Sequence, residues 1–61
     1  MTLAKIRKAD VETLKKAIKE LIQDQARITL GELEATSRTI MARGKELGIS
    51  TDKLNAWAKG E

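Results

Sequence analysis

The sequence predicts an all-α fold, and three observations carry that prediction. Proline is absent from all 61 positions, so no helix interior is interrupted by a residue without an N–H. Alanine, leucine, lysine and glutamate, which lose little freedom on entering a helix, make up much of the chain. Apolar residues recur every three to four positions, the period of a helix face rather than of a strand.

A chain of this length forms one domain, residues 1–61, with no room for a second core. Such a domain buries a small share of its surface and is marginally stable alone. Cysteine and histidine are both missing, which removes disulfides and the common zinc sites as remedies. Efficient helix packing, association with a partner chain, or both must supply the stability. No apolar run approaches the roughly 18–20 residues that span a bilayer. The segment MTLAKIRKAD lacks the apolar stretch and cleavage site of a secretory signal. A cytoplasmic protein without membrane contact is the expectation.

The first predicted helix covers about residues 3–26. At 100° per residue, Leu3, Ile6, Leu14, Ile18, Leu21 and Ile22 share one sector, while Lys5, Lys8, Lys15, Lys16 and Lys19 lie opposite. Leu3 and Ile6 keep the apolar phase, which favours a start near Thr2. The alternative is a start at Val11 capped by Asp10, with residues 1–9 as a basic arm or a short separate turn. The second helix runs about 30–47. Thr29 and Glu32 have the spacing of a capping box, Ile28 and Leu33 that of a hydrophobic staple, and Gly48 supplies a left-handed stop. The third helix, about 51–59, is capped by Ser50 or Thr51 and has Asp52 in its first turn, where the helix dipole favours an anion. Leu54, Trp57 and Ala58 form its apolar edge. Short connections make the first two helices an antiparallel hairpin, with the third packed on it.

The hairpin carries more apolar surface than one short helix can cover. Val11, Leu14, Ile18 and Leu21 repeat at heptad-like spacing, and Leu33, Ile40 and Leu47 recur every seven residues, with Ser37 and Gly44 between them. A homodimer joining two hairpins into a four-helix core through these seven residues would bury both stripes. A monomer whose third helix covers the free face, with Trp57 as its plug, is the alternative.

Charge is unevenly placed. Residues 1–30 hold seven Lys/Arg against four Asp/Glu, whereas residues 31–61 hold five of each, so the whole excess of +3 lies in the first half. Catalysis has little to build on. There is no His or Cys for base or thiol work, and the carboxylates are spaced as helix surface pairs such as Glu12–Lys16. The four glycines stand singly, so no phosphate-cradling loop exists. A non-enzymatic protein with no cofactor and no metal is expected.

The segment Ile40–Lys59 is the one stretch whose spacing points to a function. Gly44, then Gly48 four residues on, then Leu54 six further on, have the order of a small residue, a turn residue and an anchor. Leu47 and Ile49 flank the turn, and Trp57 takes the last core place. This segment resembles the helix-turn-helix unit of small bacterial and phage DNA-binding regulators. The resemblance covers about 20 of the 61 residues, and Arg43 stands where that family has an aliphatic residue. It implies DNA as the partner. Ser50, Thr51, Asp52, Asn55 and Lys59 would face a groove, with Asn55 placed to pair with adenine, Asp52 needing a base amine to offset phosphate repulsion, and Lys53 set to touch phosphate. Arg43 and the first-helix lysines Lys15, Lys16 and Lys19 would add backbone affinity. The same spacing also describes a plain helical corner. The competing function is a helical protein-interaction module (an adaptor, inhibitor or small chaperone) acting through an apolar surface.

Overall fold

The computed structural model describes residues 2–60, and every described element is helical. Among these residues there are four helices: α1 (Leu3–Arg7), α2 (Val11–Asp24), α3 (Leu30–Glu46) and α4 (Thr51–Ala58). Each begins on an extended residue whose side-chain oxygen accepts a backbone N–H three positions on. Thr2 accepts from Lys5 at 3.4 Å, Asp10 from Thr13 at 2.8 Å, Thr29 from Glu32 at 3.2 Å and Ser50 from Lys53 at 3.2 Å. These bonds satisfy N–H groups that have no partner inside the helix.

The single first helix expected over residues 3–26 is in fact two. The chain breaks at Lys8–Asp10, and Asp10 caps a fresh start at Val11. In a continuous helix the Thr13 N–H would bond to the Ala9 carbonyl; here it goes to the Asp10 carboxylate. The Ala9 carbonyl is taken instead by the Arg43 Nε of α3, at 2.8 Å. The break turns α1 back over the hairpin, where Ile6 and Ala9 are buried.

The antiparallel pair α2 and α3 forms the middle of the molecule. Both α1 and α4 pack against α2 and α3, but not against each other. The hairpin thus carries both short helices, and their buried residues join its core. The core is one cluster of Ile6, Ala9, Leu14, Ala17, Ile18, Ile40, Leu54 and Trp57, with Leu3, Leu21, Leu47 and Ile49 partly buried around it. Each fully buried Leu or Ile side chain contributes about 1.5–3 kcal/mol relative to an exposed one. Helices of 14, 17 and 8 residues extend about 21, 25 and 12 Å, so α4 spans only about half of the hairpin. The half left open shapes the surface described next.

Candidate functional site

The turn between α3 and α4 is built by hydrogen bonds that only a left-handed residue permits. Gly48, at φ +76°, lets its own N–H reach the Lys45 carbonyl at 3.1 Å and the Ile49 N–H reach the Gly44 carbonyl at 2.8 Å. This paired arrangement is a Schellman ending, and it closes α3 sharply enough for α4 to fold back. Gly44 sits where α4 crosses. A Cβ there would lie 2.8 Å from one methyl of Leu54, so the crossing is as close as a missing side chain allows. Leu54 and Trp57 anchor the buried edge of α4, and Thr51, Asp52, Asn55 and Lys59 are exposed.

Lysines from two helices meet at the α2–α4 seam. The Lys15 ammonium lies 5.2 Å and the Lys53 ammonium 5.9 Å from the centroid of the Trp57 ring. Their attraction to the electron-rich indole face, on the order of 0.5–1 kcal/mol each at exposed sites, localises two positive charges beside α4. Neither lysine forms an ion pair with another described residue.

The remaining basic residues are distributed differently. Lys16 and Lys19 are exposed on α2, but along the helix they turn away from the seam, Lys19 by about 40° and Lys16 by about 100° relative to Lys15. The fold therefore brings Lys15 to α4 and points Lys16 to the back. Arg43 is not a free cation. Besides its bond to the Ala9 carbonyl, its guanidinium pairs with Glu46 at 3.4 Å, and the side chain is only 22% exposed. That explains a polar residue at a place the resemblance reserves for an aliphatic one: Arg43 ties α3 to the α1–α2 corner. The Ser50 hydroxyl is engaged as the α4 cap.

The residues predicted for a dimer face separate into three groups. Leu14, Ile18 and Ile40 lie inside one chain, at most 5% exposed, and offer a second chain almost nothing. Leu47 is partly buried against the same core, while Val11 is exposed. Leu21 and Leu33, only partly buried, line a groove that heptad spacing does not reveal, with the buried Ile18 and Ile40 at its floor. It is an open cleft of about 270 Å³ beyond the end of α4, walled by Ile18, Leu21, Ile22 and Gln25 of α2, Leu33, Ser37, Ile40 and Met41 of α3, and Leu54, Asn55 and Ala58 of α4. None of these residues is charged. Met41 is 52% and Ile22 38% exposed at its edge. The signal available in the sequence was the shortness of the third helix against the length of the hairpin.

One carboxyl is perturbed. The Thr13 backbone N–H, with help from the Thr13 side chain, holds Asp10 below the usual aspartate range. Among the described residues no three acidic groups gather as metal ligands would, and no helix is long and apolar enough to cross a membrane. No family model matches the chain, and neither a curated protein nor a solved structure matches it.

Proposed function

We propose that this chain is a small DNA-binding regulatory protein in which α3, the Gly48 turn and α4 act as a helix-turn-helix-like unit. The close seating of Leu54 on Gly44 across the turn is the observation that carries the reading. It makes α3 and α4 one rigid body, with the polar edge of α4 facing outward. Thr51 and Asn55 would meet base edges, Asn55 bidentate to adenine and Asp52 accepting from a cytosine amine. Lys15 and Lys53, held at the α2–α4 seam, and the exposed Lys59 would contact phosphates. The bound form would be a homodimer, as two-fold sites for such units commonly require.

A gel-shift titration of random and genomic duplex DNA at two salt concentrations tests this. With three lysine–phosphate contacts per chain, affinity should fall roughly fortyfold between about 50 and 200 mM salt, because each contact releases condensed counterions. Asn55→Ala should relax sequence preference, and Lys15→Ala with Lys53→Ala should weaken every sequence alike. Absence of any shift at low salt with micromolar protein would refute the reading.

The uncharged groove favours a second reading, a helical protein-interaction module acting through its apolar surface. Binding of that kind would be insensitive to salt and lost in Met41→Lys, while Lys15→Ala with Lys53→Ala would leave it intact.

A further inference from the structure

We propose that the cleft between α1 and the face of α3 turned away from α4 is a binding site for a small phosphate monoester, held by Arg7, Arg38 and Arg43. The cleft is open, about 290 Å³, and is walled by Arg7 of α1 with Arg38, Thr39, Ala42, Arg43 and Glu46 of α3. Three guanidiniums against one carboxylate leave it two positive charges in excess. Arg7 and Arg38 are exposed, and neither makes an ion pair with another described residue. Glu34, one turn before Arg38, forms no pair with it. Arg43 is already oriented. Its Nε donates to the Ala9 carbonyl at 2.8 Å and its Nη1 to Glu46 at 3.4 Å, which commits two of its N–H groups and leaves three. A guanidinium fixed beforehand spares a ligand the entropy of ordering it.

The charge excess selects among oxyanions. A carboxylate offers two oxygens and one charge, and Glu46 already supplies one without engaging Arg7 or Arg38. A nucleic-acid diester likewise carries one charge per phosphate. A phosphate monoester carries about −1.5 to −2 near pH 7 on three acceptor oxygens, which matches the excess and gives each arginine an oxygen to bond. The Thr39 hydroxyl proton is committed to the Ala35 carbonyl, so the arginines carry the recognition. Position separates this site from α4. Its α3 residues stand about 100–160° around the helix from Gly44, where α4 crosses, so a ligand here leaves the polar edge of α4 free. Because Arg7 belongs to α1 and the others to α3, occupancy would tie the two helices together.

Titration of the purified chain with methyl phosphate at constant ionic strength and pH 7.5, without DNA, tests the site whatever α4 binds. Backbone amide resonances of α1 and α3 should shift saturably, with a midpoint on the order of a few millimolar, and hydrogen exchange in α1 should slow. Dimethyl phosphate and acetate should bind at least about fivefold more weakly. Arg7→Gln and Arg38→Gln, at exposed positions with no partner in the fold, should keep their helical circular dichroism and each weaken binding at least about fivefold. Arg27→Gln removes the same charge outside the cleft and should bind like the parent. No saturation by about 50 mM, or dimethyl phosphate or acetate binding as well, would overturn the assignment. So would Arg38→Gln titrating like the parent, or Arg27→Gln weakening binding as much as Arg38→Gln, the mark of net charge rather than a site.

Discussion

Replacing Gly44 with alanine sets two opposed effects against each other, and the structure says which should win. In a helix interior, Gly→Ala stabilises by about 1 kcal/mol through backbone entropy. At Gly44 the new methyl would stand 2.8 Å from Leu54 Cδ1 and 3.3 Å from Cδ2, well inside the roughly 3.5–4.0 Å of favourable carbon contact. Overpacking of this kind costs about 1–3 kcal/mol. Leu54 is buried but adjoins the open groove, so part of the strain can relax into it. The expected net is a loss of about 1 kcal/mol. In a Leu54→Ala background the clash disappears, and the same change should stabilise by about 1 kcal/mol. The coupling between the two positions is therefore about 2 kcal/mol, which a double-mutant cycle measures. Urea unfolding followed by helical circular dichroism and by Trp57 fluorescence provides the four free energies. Leu54→Ala alone should cost about 2–3 kcal/mol, toward the low end for buried leucine because the site borders solvent. Total stability is on the order of 3–9 kcal/mol for this length, so Leu54→Val serves if the alanine variant unfolds. Equal effects of Gly44→Ala in both backgrounds would refute the close crossing of α4 over α3.

Three further outcomes follow from the caps and the α1–α2 corner. Arg43→Met keeps the stem but removes the donor to Ala9, and should lower stability by about 1–2 kcal/mol with hydrogen exchange rising first in α1; unchanged protection there would count against the tie. Because Asp10 is depressed in the folded state, its contribution is present above the usual aspartate range and disappears as pH falls through the lower folded value. Asp10→Asn should retain a cap but flatten that part of the acid-unfolding curve, and an unaltered curve would contradict the assignment. Gly48→Ala, at φ +76°, should destabilise by about 1–2 kcal/mol, whereas Gly31→Ala, with open space around it, should gain up to about 1 kcal/mol; thermal melts resolve the difference in sign.

Local signals and long-range signals differed in how well they could be read. The cap at Thr29, the stop at Gly48 and the cap at Ser50 each depend on residues within a few positions, and all three are where the spacing places them. The outer helix boundaries follow for the same reason. Arg43 is the opposite case. Its partner is the Ala9 carbonyl, 34 positions away, and no periodicity in one helix can announce a donor supplied to another. The same contact lies at the interruption at Lys8–Asp10, where the local Asp10 cap won over the apolar phase that favoured a continuous helix. Similarly, heptad spacing marked Leu14, Ile18 and Ile40 as apolar but could not tell burial within one chain from burial between two.

By itself, then, the sequence determined the helical class, the caps at Thr29 and Ser50 and the sharp turn at Gly48, because those depend on intrinsic propensity and on hydrogen bonds between near neighbours. Only tertiary structure decided that α1 folds back across the hairpin, that Lys15 stands beside Trp57 while Lys16 does not, and that α4 leaves an uncharged groove open. Those are matters of relative helix placement and length. They are settled by which apolar faces can be covered at once, a condition on the whole chain that no local segment contains.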